Sequence, residues 1–107
     1  MNPTEIQLKY VLKQCGFERR YLSAWIFPDG SYGKIPDVDS LEFLGFLFKY
    51  VVPKHIYLDI SIHNTAHLYD VQLKVWGAKE VWETEHYYDK DPAIALLEAI
   101  YKALGGI

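Results

Sequence analysis

Cysteine is almost absent from this chain of 107 residues, which has only one, so a disulfide framework is excluded. Long apolar runs are also missing, because no stretch approaches the ~20 residues that a membrane span needs. The 11 basic residues are outnumbered by 14 acidic ones. The resulting formal charge of −3 argues against binding a nucleic-acid backbone through bulk charge. We therefore expect neither a membrane protein nor a protein that binds the nucleic-acid backbone.

Apolar and aromatic residues, by contrast, are abundant. Half of the residues are hydrophobic and 16% are aromatic, with nine Tyr, five Phe and three Trp. A disordered chain lacks this apolar mass, and the length is typical of one domain, so we predict a single domain over residues 1–107. The first residues show no basic region followed by an apolar core, and a lone Cys15 fits a reducing compartment. We therefore expect a cytoplasmic protein.

Three segments have the apolar spacing and the end signals of helices. The first is predicted from Pro3 to about Cys15 and the last from Pro92 to about Leu104, where Asp91 serves as N-cap. The last helix also carries Glu98 and Lys102 at the spacing of an i,i+4 ion pair.

The second helix is predicted from about Ser40 to Val52. Asp39 as N-cap and Glu42 three residues later would form a capping box. This helix has almost no polar face, and a helix that is apolar nearly all round is buried on several sides or meets a partner. Its apolar residues are Leu41, Phe43, Leu44, Phe46, Leu47, Phe48, Tyr50, Val51 and Val52.

The remaining segments have the composition and alternation of strands. They are Tyr21–Phe27, Ser31–Ile35, His55–His63, Leu68–Trp76 and Glu80–Tyr88. Short turns between consecutive strands imply antiparallel pairing. The order α-ββ-α-βββ-α therefore predicts an α+β fold, in which an antiparallel β-meander packs with three helices in a sandwich-like arrangement.

Alternation in the meander separates an aliphatic face from a second face, which we call the reverse face. The residues of the reverse face proposed for binding are Tyr57, Asp59, Trp76, Trp82, His86 and Tyr88. Aromatic rings among hydrogen-bonding residues are typical of a recognition surface, where rigid rings carry most of the binding energy. The alternative is that the second helix covers this face and the rings form a second core layer.

Three other groups of residues could carry chemistry. His63 and His67 have a metal-ligand spacing, but they flank a predicted turn and lack an obvious third ligand, so they are weak candidates and we predict no metal and no cofactor. Glu83 and Glu85 alternate on one predicted strand and could form a carboxylate pair. Cys15 belongs to an apolar helix stripe, where burial raises the thiol pKa and makes catalysis unfavourable.

Several segments together are similar to the phage ABA-sandwich domain family, whose members are small phage and prophage proteins of unassigned function. The segments that carry the resemblance are Trp25, Ile35-Pro36-Asp37, Trp76, Trp82 and Asp89 to Leu104. The resemblance implies an α/β/α layering and a phage or prophage origin. It implies no catalytic residues.

These observations predict a small binding or accessory protein that acts through protein–protein interaction, for example in modulating host defence. The alternative is a protein or enzyme that binds a small molecule in a pocket lined by Trp, Tyr and His on the sheet. Association with a second copy, through the second helix or a sheet edge, is a further option.

Overall fold

A computed structural model describes residues 3–20, 24–54, 58–76 and 80–105. Three helices and two antiparallel sheets form an α+β fold, as predicted. The helices are α1 (Pro3–Gln14), α2 (Leu41–Phe46) and α3 (Pro92–Ala103). The strands are β1 (Glu18–Arg19), β2 (Ala24–Ile26), β3 (Tyr32–Lys34), β4 (Leu58–Thr65), β5 (Leu68–Trp76), β6 (Val81–Glu83) and β7 (Tyr87–Asp89).

Helix α1 is ended by a glycine. Gly16 adopts a positive φ of 88°, a conformation that side chains other than glycine rarely take. This reversal lets the Phe17 N–H donate to the carbonyl of Leu12 at 3.0 Å, which satisfies an end group of the helix. Phe17 and Leu12 are both buried, so the same turn directs the chain into the core.

The predicted capping box of α2 is wrong by one residue. Ser40, and not Asp39, is the N-cap: its hydroxyl accepts a hydrogen bond from the Phe43 N–H at 3.1 Å. The same hydroxyl donates to the Asp37 carbonyl at 2.6 Å, which fixes it in the capping position. After α2 the chain continues as a π-helical segment over Leu47–Val51 and a short 3₁₀ turn.

The predicted first hairpin exists and belongs to a separate three-stranded sheet in the order β1-β2-β3. Gly30 has a φ of 87° in the connecting turn, and the Phe27 N–H donates to the Ser31 carbonyl at 2.8 Å. The two-residue strand β1 was not predicted. Residues 21–23 of the predicted strand lie outside the described part of the chain.

Four aromatic rings join this small sheet to the second helical region. Phe17, Phe27, Phe46 and Tyr50 lie within 5.0–6.0 Å of one another, measured between ring centroids. Such pairs contribute about 0.5–1.5 kcal/mol each beyond their buried area. Part of the aromatic excess therefore stabilises the core at the junction of the two regions.

The four-stranded sheet has β5 at its centre, with β4 on one side and both β6 and β7 on the other. Helix α3 packs on β5 and β7, and α1 and α2 pack on α3. The central position of α3 explains why most of its residues are buried. They are Ala93, Ala95, Leu96, Leu97, Ala99, Ile100 and Tyr101.

Of the two alternatives predicted for the second helix, burial on several sides or contact with a partner, burial holds for only part of the helix. Phe43 and Phe46 of α2 are buried, but Leu41 is 80% exposed and Phe48 is exposed as well. The structure places α2 on the helix layer, where it contacts α3. None of the described helices combines the length and the apolar character needed to cross a bilayer.

The predicted ion pair on α3 is not among the ion pairs of the described residues. Lys102 Nζ instead lies 5.8 Å from the centroid of the Tyr101 ring. Glu98 is half-buried, and this burial, together with the nearby Asp89, raises the pKa of its carboxyl.

Candidate binding face

Pairing of β4 with β5 determines which side chains share each face of the large sheet. Ile60 lies opposite Leu73 and Ile62 opposite Val71, and the buried Leu73 and Val71 show that these pairs face the helices. We call this the helix side. The intervening pairs face the other way and define the reverse face in this region: Asp59 with Lys74, Ser61 with Gln72, and His63 with Asp70.

The last predicted strand is interrupted, and this interruption changes which residues face outward. Glu83 of β6 lies opposite Lys74, and Tyr88 of β7 lies opposite Asp70. Four residues separate Glu83 from Tyr88, whereas three residues separate Asp70 from Lys74. The segment between the two strands therefore contains one residue more than the facing part of β5, which is a β-bulge. As a result Glu83 and Tyr88 both belong to the reverse face, although their sequence parities differ.

Thr84 holds the bulge together. Its N–H donates to the Leu73 carbonyl at 2.9 Å, and its hydroxyl accepts the Leu73 N–H at 3.0 Å, where a regular strand would offer a carbonyl. The hydroxyl also donates to the Glu85 carbonyl at 2.9 Å. Thr84 is buried, so these bonds form away from water and fix the chain between β6 and β7.

A stacked pair of rings stands on the reverse face beside this bulge. His86 Nδ1 donates to the Asp70 carboxylate, at 2.8 Å from Oδ1 and 3.0 Å from Oδ2. The His86 and Tyr88 rings are nearly parallel, with centroids 6.2 Å apart and an angle of 18°. The Asp70 side chain is mostly buried, whereas Tyr88 is 53% exposed. The Asp70 carboxylate thus orients the His86 ring, the Tyr88 ring stacks against it, and both rings remain accessible.

Polar side chains continue the reverse face toward β4 and β6. Gln72 Nε2 donates to the Thr84 carbonyl at 3.1 Å and to Glu83 Oε2 at 3.3 Å, and Lys74 Nζ lies 3.7 Å from Glu83 Oε1. A depression of about 210 Å³ lies between these groups, Asp59 and Ser61. Its size is below the roughly 300–1,000 Å³ of typical small-molecule pockets.

The alternative in which the second helix covers this face does not hold for the described residues. Asp59, Glu83, His86 and Tyr88 are all exposed, and α2 packs on the opposite layer of the fold. The helix layer already has α3 as its central element, so α2 contacts a helix and not the reverse face.

The structure does not place three members of the predicted binding set on the reverse face. Trp82 lies opposite Val75 and therefore on the helix side, because β6 precedes the bulge; its assignment to the reverse face was wrong. Tyr57 lies outside the described residues. Trp76 ends β5 opposite Val81, and its side chain lies outside what the structure describes. Asp59, His86 and Tyr88 are where the sequence predicted them.

The two histidines with metal-ligand spacing lie in different surroundings. His63 Nε2 is 2.8 Å from the Ser61 hydroxyl on the reverse face, while His67 is in the two-residue turn between β4 and β5. Among the described residues, no three His, Cys, Asp or Glu side chains form a group suited to a metal ion.

The remaining candidate groups also have clear positions. Cys15 is buried, and desolvation raises the pKa of its thiol, as predicted. Glu83 lies in β6, whereas Glu85 lies in the bulge outside both strands, so the prediction that the two carboxylates share one regular strand face was wrong.

Sequence reasoning did not identify Thr84, Asp70 or Gln72 as the residues that organise the face. The signal that could have revealed them is the ambiguity of residues 80–88, where neither alternating set is plainly apolar. Such ambiguity is typical of a strand in which a bulge shifts the alternation.

Comparison with family models, curated proteins and solved structures found no match for this chain.

Proposed function

We propose that this chain is a protein-binding module and that the reverse face of its large sheet contacts the partner. The observation that carries the proposal is the exposed His86–Tyr88 stack held by Asp70. Rings that are already oriented lose little conformational entropy on binding, and aromatic residues are enriched among the residues that dominate binding energy.

Charge on the reverse face indicates the chemistry of the partner. The paired strands place three carboxylates on this face, those of Asp59, Asp70 and Glu83. Among the described strand residues of the face, Lys74 is the one lysine. A partner surface rich in Lys or Arg would be electrostatically complementary, and such complementarity mainly raises the association rate and the specificity.

The resemblance of the segments Ile35-Pro36-Asp37 and Asp89 to Leu104 to the phage ABA-sandwich family leads us to include a phage or prophage origin in this proposal. The partner would then be a host or phage protein in the host cytoplasm. Phage structural, lysis or counter-defence genes beside the coding sequence would support this origin, and a conserved chromosomal operon of unrelated metabolic genes would contradict it.

Binding of a small molecule on the sheet has less support. The depression on the reverse face is lined by Asp59, Ser61, Gln72, Lys74 and Glu83, without an aromatic ring among these described residues. A shallow polar depression buries little of a ligand's surface, whereas ligand sites typically enclose most of it.

The test is affinity capture from a lysate with the wild-type chain, Tyr88→Ala, His86→Ala and the control Tyr32→Ala. Tyr32 is a matched control because it is 66% exposed and lies on the small sheet, away from the reverse face. We expect one partner to be retained by the wild type and by Tyr32→Ala and to be lost, at least tenfold in affinity, with Tyr88→Ala and His86→Ala.

Salt provides a second readout, because screening shortens the range of attraction between exposed charges. The association rate should fall as salt rises, more for the wild type than for a Glu83→Gln variant. A captured protein whose affinity is equal for the wild type, Tyr88→Ala and His86→Ala would refute the assignment of this face.

A further inference from the structure

Strand β4 forms an edge of the large sheet. It extends over the eight residues Leu58–Thr65, and among the described strands only β5 pairs with it. An edge strand of this length presents a row of backbone N–H and C=O groups to a further strand. Ile62 on its helix side is 37% exposed, so the edge also carries apolar surface.

We propose that two copies of this chain associate by antiparallel pairing of their β4 edges, with Ser61 opposite Ser61 of the second copy. A two-fold axis between the two Ser61 residues, perpendicular to the sheet, would join the two sheets into one. Both helix layers would then lie on the same face of the joined sheet. This contact uses the β4 edge, including the reverse-face side chain of Asp59, and leaves the His86–Tyr88 stack free on β7, which pairs with the opposite edge of β5.

The charge pattern of β4 favours this register. With Ser61 on the axis, Asp59 of each copy lies opposite His63 of the other, and the symmetry provides this pairing twice. A carboxylate and an imidazole directly opposite each other across antiparallel strands stabilise the pairing, since even the neutral imidazole offers a hydrogen bond to the carboxylate. A shift by two residues would place Asp59 opposite Thr65 and remove both pairs.

The apolar residues of β4 are complementary in the same register. Ile60 of each copy lies opposite Ile62 of the other, so four isoleucine side chains meet on the helix side across the axis. Ile60 is half-buried and Ile62 is exposed in the single chain, so pairing would remove both from water. Both faces of the strand are therefore self-complementary at once, which identifies a second copy as the occupant.

Cysteine crosslinking tests the register directly in the full chain. Directly opposite residues in antiparallel strands have Cα atoms about 4.5–5.5 Å apart, which suits a disulfide. We expect Ser61→Cys to form a covalent dimer under mild oxidation. The control Thr65→Cys is equally near the edge, but its two copies would be separated by eight residues, roughly 27 Å, and should not crosslink.

Light scattering or sedimentation over a wide concentration range gives the second test. We expect Asp59→His to weaken the dimer at least tenfold, because it places His opposite His63, and Asp59→His/His63→Asp to restore it. Equal crosslinking at both cysteine positions, crosslinking at position 65 alone, a failure of the double exchange to restore association, or a monomer at all concentrations would overturn the proposal. These outcomes do not depend on the lysate partner, so the two proposals can fail independently.

Discussion

The hydroxyl of Thr84 provides the sharpest test of how the large sheet is built. Thr84→Val keeps the shape of the side chain and removes the oxygen that accepts the Leu73 N–H at 3.0 Å. Leu73 is fully buried, so water cannot easily replace the lost partner. A buried donor without an acceptor costs about 1–3 kcal/mol. The Glu85 carbonyl also loses a donor, but Glu85 is exposed and water can take that place.

Thr84→Ser is the matched control, because it keeps the hydroxyl and loses one methyl group, worth about 0.8 kcal/mol when buried. Urea unfolding, followed by tryptophan fluorescence and circular dichroism, measures both free energies. If the hydrogen bond dominates, the valine variant is the less stable one, and its Tm falls by roughly 4–8 °C for each kcal/mol lost. A valine variant at least as stable as the serine variant would show that packing dominates and would refute the reasoning.

Three further changes test the local structure. Ala66 has a positive φ of 55° in the β4–β5 turn, so Ala66→Gly should raise the urea midpoint by relieving strain of about 1 kcal/mol, and an unchanged or lower midpoint would contradict this. Ser40→Ala should cost about 1 kcal/mol in unfolding free energy through the lost cap, and Asp39→Ala distinctly less; the reverse order would restore the capping box predicted from sequence. Burial and Asp89 raise the pKa of Glu98 above its ordinary value of 4.5, so the ionised form is disfavoured in the folded state. Glu98→Gln should therefore stabilise the chain at neutral pH and lose this advantage below about pH 4, which pH-dependent urea unfolding measures; a gain independent of pH would exclude the electrostatic cause.

The fold class and the two faces of the long strands could be predicted because local signals agree with the tertiary structure there. Val71 and Leu73 alternate with polar neighbours, and the alternation corresponds to burial in the sheet. Gly16 and Pro92 mark helix ends for the same reason, since their backbone preferences are local.

The position of α2 and the face of residues 80–88 could not be predicted from such local signals. The apolar character of α2 indicated burial, but the sequence does not tell which layer a helix joins, and α3 occupies the centre. The alternation around Trp82 suggested one continuous strand, and only the hydrogen bonds of Thr84 to Leu73 show where it is interrupted. Both errors concern contacts between different elements, which the local alternation of residues does not encode.

The bulge means that the identity of the reverse face is encoded by a count of residues as well as by their types. Each strand residue alternates sides, so one residue more or fewer between Glu83 and Tyr87 exchanges the inward and outward sets of β7. A deletion of Glu85 would present Tyr87 to solvent and turn Tyr88 toward α3, with the composition of the strand unchanged. A related chain could therefore keep both tyrosines and still lose the surface, if its segment differed in length by a single residue.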